Sequence, residues 1–211
     1  MTEDEWLACE DPAPMLKVVK GQVSDRKLRL FAVACCRSVW HLIEGEPDRN
    51  AVEVAERVAD GLASNKERRA ALHSSSTVAS STLYADVGIM VGFVRQRIAE
   101  AVARPSETHT AEHYVWDANY DLQNPVQSDL VRDIFGNPFR PVVADPVWLT
   151  DTAVSLARGM YESRDFSAMP ILADALQDAG CDNTDILNHC HDASATHVRG
   201  CWVVDLVLDL S

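Results

Sequence analysis

The hydrophobic positions along this chain recur at helical spacing. The first clear run is Leu28, Phe31, Cys35, Val39 and Leu42. Intervals of three and four residues place such side chains on one face of an α-helix. Ser24 stands just before the run and is a favourable N-cap, while Gly45 and Pro47 follow it. The pattern therefore predicts an amphipathic helix that begins after Ser24 and ends near Gly45.

Two further helices are predicted in the first half of the chain. One covers residues 51–59 and ends near Gly61. The other is the longest, because apolar residues keep a helical period from Leu83 to Val102. Between the two, the polar residues 74–77 suggest a loop or a helix cap, although a continuing helix also fits them.

The second half of the chain contains shorter predicted helices. They are expected at 128–135, 147–162, 167–179 and 183–191. Three prolines between residues 137 and 147 indicate an extended connector after the first of these helices. The apolar segment 198–210 has no period that separates a buried helix from a core strand, and its helical surroundings favour a helix.

Together these elements predict an all-α, multi-helix globular protein. An N-terminal helical part covers residues 1–104, and a C-terminal helical part covers residues 128–211. An irregular connector at 105–127 follows the Arg104-Pro105 break and is rich in His, Asn, Asp and aromatic residues. The two helical parts are compatible with two subdomains that share one core.

The net charge argues against two classes of partner. The chain has 32 acidic and 19 basic residues, which give a formal net charge of −13 at pH 7. Such a surface repels nucleic-acid phosphates and anionic lipids at long range, so neither nucleic acid nor a membrane is an expected partner.

The small basic patch from Arg26 to Arg37 is expected to pair with neighbouring carboxylates. A nucleic-acid factor acting through that patch remains a third alternative and predicts steeply salt-dependent binding.

The N-terminal sequence indicates a cytoplasmic location. Acidic residues occupy positions 3–5, where a secretory signal needs basic ones, and no apolar run reaches the roughly 18 residues of a membrane span. The six cysteines are therefore expected to be free thiols or metal ligands. Adjacent Cys35 and Cys36 lack the spacing of a redox motif, and core packing accounts for them better.

The densest chemistry lies near the C-terminus. Six potential ligands fall within twenty-one residues: Cys181, His189, Cys190, His191, His197 and Cys201. His197 and Cys201 are four residues apart, which places two ligands on one helical face. The set that we predict for a zinc ion is Cys181, His189, His197 and Cys201, and zinc is the only candidate cofactor. Core packing is nevertheless the favoured interpretation, with Cys181 and Cys201 as small core residues and the histidines as caps of helix ends.

Other motifs carry less weight. Residues 109–113 fit the H-x-x-E-H pattern of some zinc peptidases, but the motif is short and lies in the least regular part of the chain, so a solvated His/Glu face is the better explanation. Residues 182–185 resemble a calcium loop but lack its glycine and its distal glutamate, so a helix N-cap is the expected role. The glycine-rich and serine motifs of nucleotide-binding proteins and serine hydrolases do not occur.

Several long stretches carry a resemblance to a known family. They include EWLAC at 5–9, SDRKLRLF at 24–31, RDIFGNPFRP at 132–141, LADAL at 172–176, AGC at 179–181 and HVRGCW at 197–202. Together they resemble an uncharacterised bacterial family that is best known from planctomycetes, over nearly the whole chain. The resemblance implies no activity, catalytic residue or ligand. It directs attention to Cys181, His197 and Cys201, which lie in the signature stretches.

The sequence favours a non-enzymatic intracellular interaction or regulatory module, because its helices are well specified and no catalytic constellation is. The alternative is a zinc protein with a structural or hydrolytic site built from the C-terminal Cys/His cluster. A protein partner and a second copy of this chain are the partners that remain open.

Overall fold

The computed structural model describes residues 1–43, 45–78 and 124–210. Within these ranges the chain forms ten α-helices and no strand, which confirms the predicted all-α class. It divides into two compact units. Unit 1 consists of Met1 and Cys9–Ser128, and unit 2 consists of Thr2–Ala8 and Asp129–Ser211. The chain therefore leaves unit 2 after Ala8 and returns to it at Asp129.

The helices follow one another in a simple order. They are α1 (Glu3–Ala8), α2 (Pro12–Val19), α3 (Asp25–Ser38), α4 (Glu46–Ala59), α5 (Asn65–Val78), α6 (Asn124–Phe135), α7 (Asp151–Ser163), α8 (Met169–Asp178), α9 (Thr184–His191) and α10 (Trp202–Leu208). Short 3₁₀ turns occupy Trp40–Leu42 and Pro146–Trp148. None of the helices in the described ranges is both long and apolar enough to cross a membrane.

In unit 1, α4 packs against both α3 and α5. The predicted cap of α3 is confirmed, because the Ser24 hydroxyl accepts a hydrogen bond from the backbone N–H of Lys27 at 3.3 Å. Cys35 and Cys36 are both buried, as expected of core residues. The polar residues 74–77 lie inside α5, so the continuing helix is the correct alternative for them.

In unit 2, α8 packs against α7 and α9, and α10 packs against the same two helices. Their apolar faces enclose a core that includes Met169, Leu172, Leu176, Ile186 and Val204. The segment 198–210 is helical over Trp202–Leu208, as its surroundings predicted.

Two boundaries of unit 2 can be compared with the sequence. Asn183 caps α9 by accepting hydrogen bonds from the backbone N–H groups of Asp185 and Ile186, so the cap predicted within residues 182–185 is confirmed. By contrast, α6 begins at Asn124, four residues before its predicted start. Pro125 is tolerated there because the first turn of a helix does not need its N–H groups.

Three sequence predictions lie outside the described residues. They are the long helix from Leu83 to Val102, the H-x-x-E-H pattern at 109–113 and most of the connector at 105–127. The predicted boundary at residue 104 also falls there and stays a prediction.

Candidate metal centre

Four side chains of unit 2 converge on one point. The possible ligand atoms of Asp133, His189, His197 and Cys201 all lie within 4.8 Å of one another. They belong to four different parts of the unit. Asp133 lies in the last turns of α6, His189 lies near the end of α9, His197 lies in the following loop, and Cys201 is the residue that precedes α10.

The separations between these atoms can be compared with those in a tetrahedral metal site. His197 Nδ1 and His189 Nε2 lie 2.8 and 3.2 Å from Asp133 Oδ1. Cys201 Sγ lies 3.2 Å from His189 Nε2 and 4.0 Å from His197 Nδ1. In a tetrahedral zinc site, bonds of about 2.0–2.3 Å place neighbouring ligand atoms about 3.3–3.8 Å apart. The observed distances lie on both sides of that range, and all of them are within 4.8 Å, so the side chains would have to shift to hold one ion.

Hydrogen bonds can hold this group together without an ion. His189 Nε2 lies 3.2 Å from the Asp133 carboxylate and 3.2 Å from the Cys201 sulfur. A protonated Nε2 can donate to the carboxylate and also, more weakly, to the sulfur. A cation between the atoms would replace these hydrogen bonds, because all four side chains would then present lone pairs to it.

Asp133 is the negative centre of the group. Its side chain is 4 % exposed, and its second oxygen, Oδ2, accepts a hydrogen bond from the backbone N–H of Val198 at 3.0 Å. Burial by itself raises the pKa of Asp133, but hydrogen bonds from His189 and His197 outweigh this effect, so the pKa lies below its ordinary value. The carboxylate is therefore ionised and oriented by the backbone of the loop that carries His197.

Cys201 is a thiol until a cation reaches it. Burial raises its pKa well above the ordinary value, and the charge of Asp133 raises it further, whereas the backbone N–H groups of Val204 and Val203 act in the opposite direction. A bound metal reverses this balance, since coordination deprotonates a thiol outright. The same burial excludes water from the thiolate once it forms.

His197 has one nitrogen at the centre and one in the interior. Its Nε2 is buried and has no hydrogen-bond partner among the described residues. Histidine ligands usually donate this second N–H to a carbonyl or carboxylate, which fixes the ring. Here packing helps to fix the His197 ring, because the rings of His189 and His197 meet edge to face with centroids 4.8 Å apart.

Trp202 covers one side of the centre. Its ring lies 5.2 Å from that of His189, and on the other side it rests against Gly136. Gly136 has a φ of +68°, and a Cβ at this position would lie 3.2 Å from Trp202 Cγ. Glycine is thus required there both for the backbone conformation and for the close approach of the indole.

Arg199 holds the loop that supplies two of the ligands. Its guanidinium donates hydrogen bonds to the backbone carbonyls of Tyr161 at 2.6 Å and Glu162 at 3.1 Å. It also lies over the Tyr161 ring, 4.9 Å from the centroid. Because these carbonyls belong to the last turn of α7, the cation is favourably placed against the helix dipole. His197 and Cys201 are therefore attached to a rigid helix.

The structure brings together three of the four predicted zinc ligands. His189, His197 and Cys201 belong to the group, whereas Cys181 follows α8 and lies in the apolar core of unit 2. Burial raises the pKa of the Cys181 thiol. Cys190 is also a core residue, and burial raises its pKa to about 12. His191 is exposed at the end of α9.

Asp133 is the fourth member of the group, whereas the sequence had predicted Cys181 as the fourth ligand. The sequence reasoning missed it because it considered only nearby cysteines and histidines, whereas Asp133 lies 64 residues before His197. The sequence nevertheless contains a signal for Asp133. Asp133 lies beside Ile134 and three residues after Leu130, so it falls on the buried face of α6. An acidic residue there needs a partner of opposite charge.

The basic patch of unit 1 is paired, as expected. Arg26 contacts the Asp60 carboxylate at 3.5 Å, and Arg37 contacts that of Glu56 at 2.9 Å. These ion pairs lower the positive charge that the two ends of the patch present to solvent.

Comparison with known proteins adds no identification. No protein-family model, no curated protein and no solved structure matches this chain.

Proposed function

We propose that this chain is a zinc-binding, non-enzymatic protein in which the ion stabilises unit 2. The observation that supports the proposal best is the convergence of one carboxylate, two imidazoles and one thiol within 4.8 Å of one another. The ligands are Asp133 Oδ1, His189 Nε2, His197 Nδ1 and Cys201 Sγ. They join the end of α6, α9, the following loop and the start of α10 through a single ion.

The donor set favours zinc. Zn²⁺ is typically bound in a tetrahedral arrangement by imidazole nitrogens and thiolate sulfurs. Mg²⁺ and Ca²⁺ instead prefer six or more oxygens. Only one of the four donors here is an oxygen. One Asp and one Cys also supply two negative charges, which balance the charge of a divalent ion.

The number of ligands favours a structural role. Structural zinc sites have four protein ligands, while catalytic ones keep a position for water or substrate. In this group four protein atoms are available, and the side chains of Asp133 and His197 are only 4 % and 6 % exposed. A hydrolytic site would need one of the four to leave and a substrate to enter.

Elemental analysis of the untagged protein tests the proposal. We expect about one zinc per chain after expression with zinc and gel filtration. Replacement of zinc by Co²⁺ should give the strong visible absorption of a tetrahedral site and a near-ultraviolet band from the thiolate. A folded wild-type chain that takes up no metal from excess Zn²⁺ would overturn the proposal.

Substitutions separate the two possible ligand sets. Asp133→Asn and Cys201→Ala remove ligands and should lower the zinc content strongly, while Cys181→Ala should leave it near one per chain. Cys190→Ala is the matched control, because Cys190 is a buried cysteine in the same core and is not a proposed ligand. Loss of zinc on Cys181→Ala with retention on Asp133→Asn would favour the all-Cys/His set instead.

A further inference from the structure

The N-terminal helix α1 is attached to the segment that carries Asp133. Glu3 Oε1 accepts hydrogen bonds from Asn137 Nδ2 at 2.7 Å and from Arg140 Nε. One turn further along α1, the backbone carbonyl of Trp6 accepts a hydrogen bond from Arg132 at 3.2 Å. All three donors lie between residues 132 and 140, so Asp133 is flanked by contacts to α1.

The same network reaches the helix that carries His189. Arg140 contacts Glu3 through Nε and the Asp185 carboxylate through its NH1 group at 3.3 Å. Asp185 lies in α9, four residues before His189, and therefore on the same face of that helix. Glu3 is thus connected to two of the four elements that supply ligands.

Burial of Trp6 holds α1 in place. The side chain is completely buried, and its ring meets that of Phe139 edge to face, with centroids 6.5 Å apart. Burial of an aromatic side chain is a large favourable contribution to folding. A helix of six residues is not stable by itself, so α1 depends on this docking for its structure.

We propose that docking of α1 and binding of zinc are cooperative, with Glu3 as a positioning residue for the metal centre. This inference rests on the proposed function. An ion that holds Asp133 and His189 fixes the segment 132–140 and α9, and these are the two surfaces that Glu3 joins. Because coupling between two binding events is reciprocal, each event strengthens the other by the same factor. Zinc occupancy is thereby communicated to the N-terminal helix.

Zinc affinity of charge-matched variants tests the role of Glu3. Glu3→Gln should weaken zinc binding about three- to tenfold in competition with a chromophoric chelator, because it loses the ion pair and part of the network. Asp4→Asn is the control. It removes the same charge from the first turn of α1, but Asp4 is exposed and has no partner among the described residues.

A double-mutant cycle tests whether Glu3 acts on the metal centre through Arg140. Arg140→Gln should weaken zinc binding by a similar factor, and the Glu3→Gln/Arg140→Gln double variant should be no weaker than the worse single variant. A purely structural role of Glu3 would instead reduce the stability of the metal-free chain and leave the zinc affinity unchanged.

Amide hydrogen exchange of the wild-type chain needs no variant. Peptides that cover residues 2–8 should exchange about three- to tenfold faster after zinc is removed. Equal exchange with and without zinc, together with an unchanged affinity of the Glu3→Gln variant, would overturn the coupling and leave the zinc site intact. A wild-type chain that binds no zinc would overturn both proposals.

Discussion

At the scale of single residues, the centre depends on groups that cannot be exchanged for close analogues. Gly136 must adopt a positive φ under the Trp202 ring, and Asp133 must be ionised while almost fully buried. Arg199 has to reach two carbonyls and one ring at the same time. Lysine has neither the planar fork nor the stacking surface for that task.

Alanine substitutions at two glycines of unit 2 are expected to have opposite effects on its stability. Gly136→Ala should destabilise the unit by about 1–3 kcal/mol, because it combines a left-handed backbone with a clash against Trp202. Gly159→Ala should instead stabilise it by about 0.5–1 kcal/mol, since Gly159 lies inside α7 and a Cβ there meets nothing within 4 Å. Urea unfolding of both variants measures the difference, and equal effects would contradict it.

At the scale of elements, each unit carries buried charge that a partner must compensate. In unit 1, Glu56 of α4 is 1 % exposed and contacts Arg37 of α3 at 2.9 Å. The Arg37 guanidinium also lies 5.0 Å from the centre of the Trp40 ring. This ion pair therefore contributes to the attachment of α3 to α4.

Removal of Arg37 should cost more than removal of an exposed arginine nearby. Arg37→Ala leaves the buried Glu56 carboxylate with less compensation and should destabilise unit 1 by about 1–3 kcal/mol. Arg57→Ala is the matched control, because Arg57 and Glu67 form a half-exposed pair whose attraction is weakened by solvent screening. Guanidinium unfolding of the two variants provides the test. A larger loss of stability for Arg57→Ala would be inconsistent with this account.

The elements were predictable from sequence to a greater extent than the site. Helical spacing and cap residues located α8, α9, the start of α3 and the end of α4, because these signals act between residues fewer than five positions apart. The predicted end of α3 near Gly45 is wrong, since the helix ends at Ser38, and α4 begins at Glu46 rather than at residue 51. The candidate ligand group joins distant parts of the chain, since Asp133 lies 64 residues before His197. Local spacing has no information about which distant helix faces the C-terminal loop. For that reason local spacing selected Cys181 rather than Asp133, which lies on the buried face of α6.

At the scale of the whole molecule, the acidity is distributed unevenly. Residues 2–8 and 129–211 contain 16 acidic and 5 basic residues, whereas the rest of the chain contains 16 and 14. Unit 2 therefore has almost all of the excess negative charge. We therefore expect any long-range repulsion of phosphates to act mainly around that unit.

Zinc should stabilise the two units unequally, because all four proposed ligands lie in unit 2. Free zinc at about one hundred times its dissociation constant should stabilise the unit by about 2.7 kcal/mol. Native-state amide exchange should therefore slow in α9 and α10 and remain unchanged in α4. Equal slowing in both units would show that they unfold as one and would contradict this prediction.

The path of the chain through unit 2 sets an order for its synthesis. Trp6 emerges from the ribosome early, but Arg132, which binds its carbonyl, lies 126 residues later. At roughly 5–20 residues per second, the indole waits about 6–25 s for the surface that will bury it. Folding of unit 2 therefore includes the closure of a long loop, because Trp6 and Arg132 are 126 residues apart in the chain.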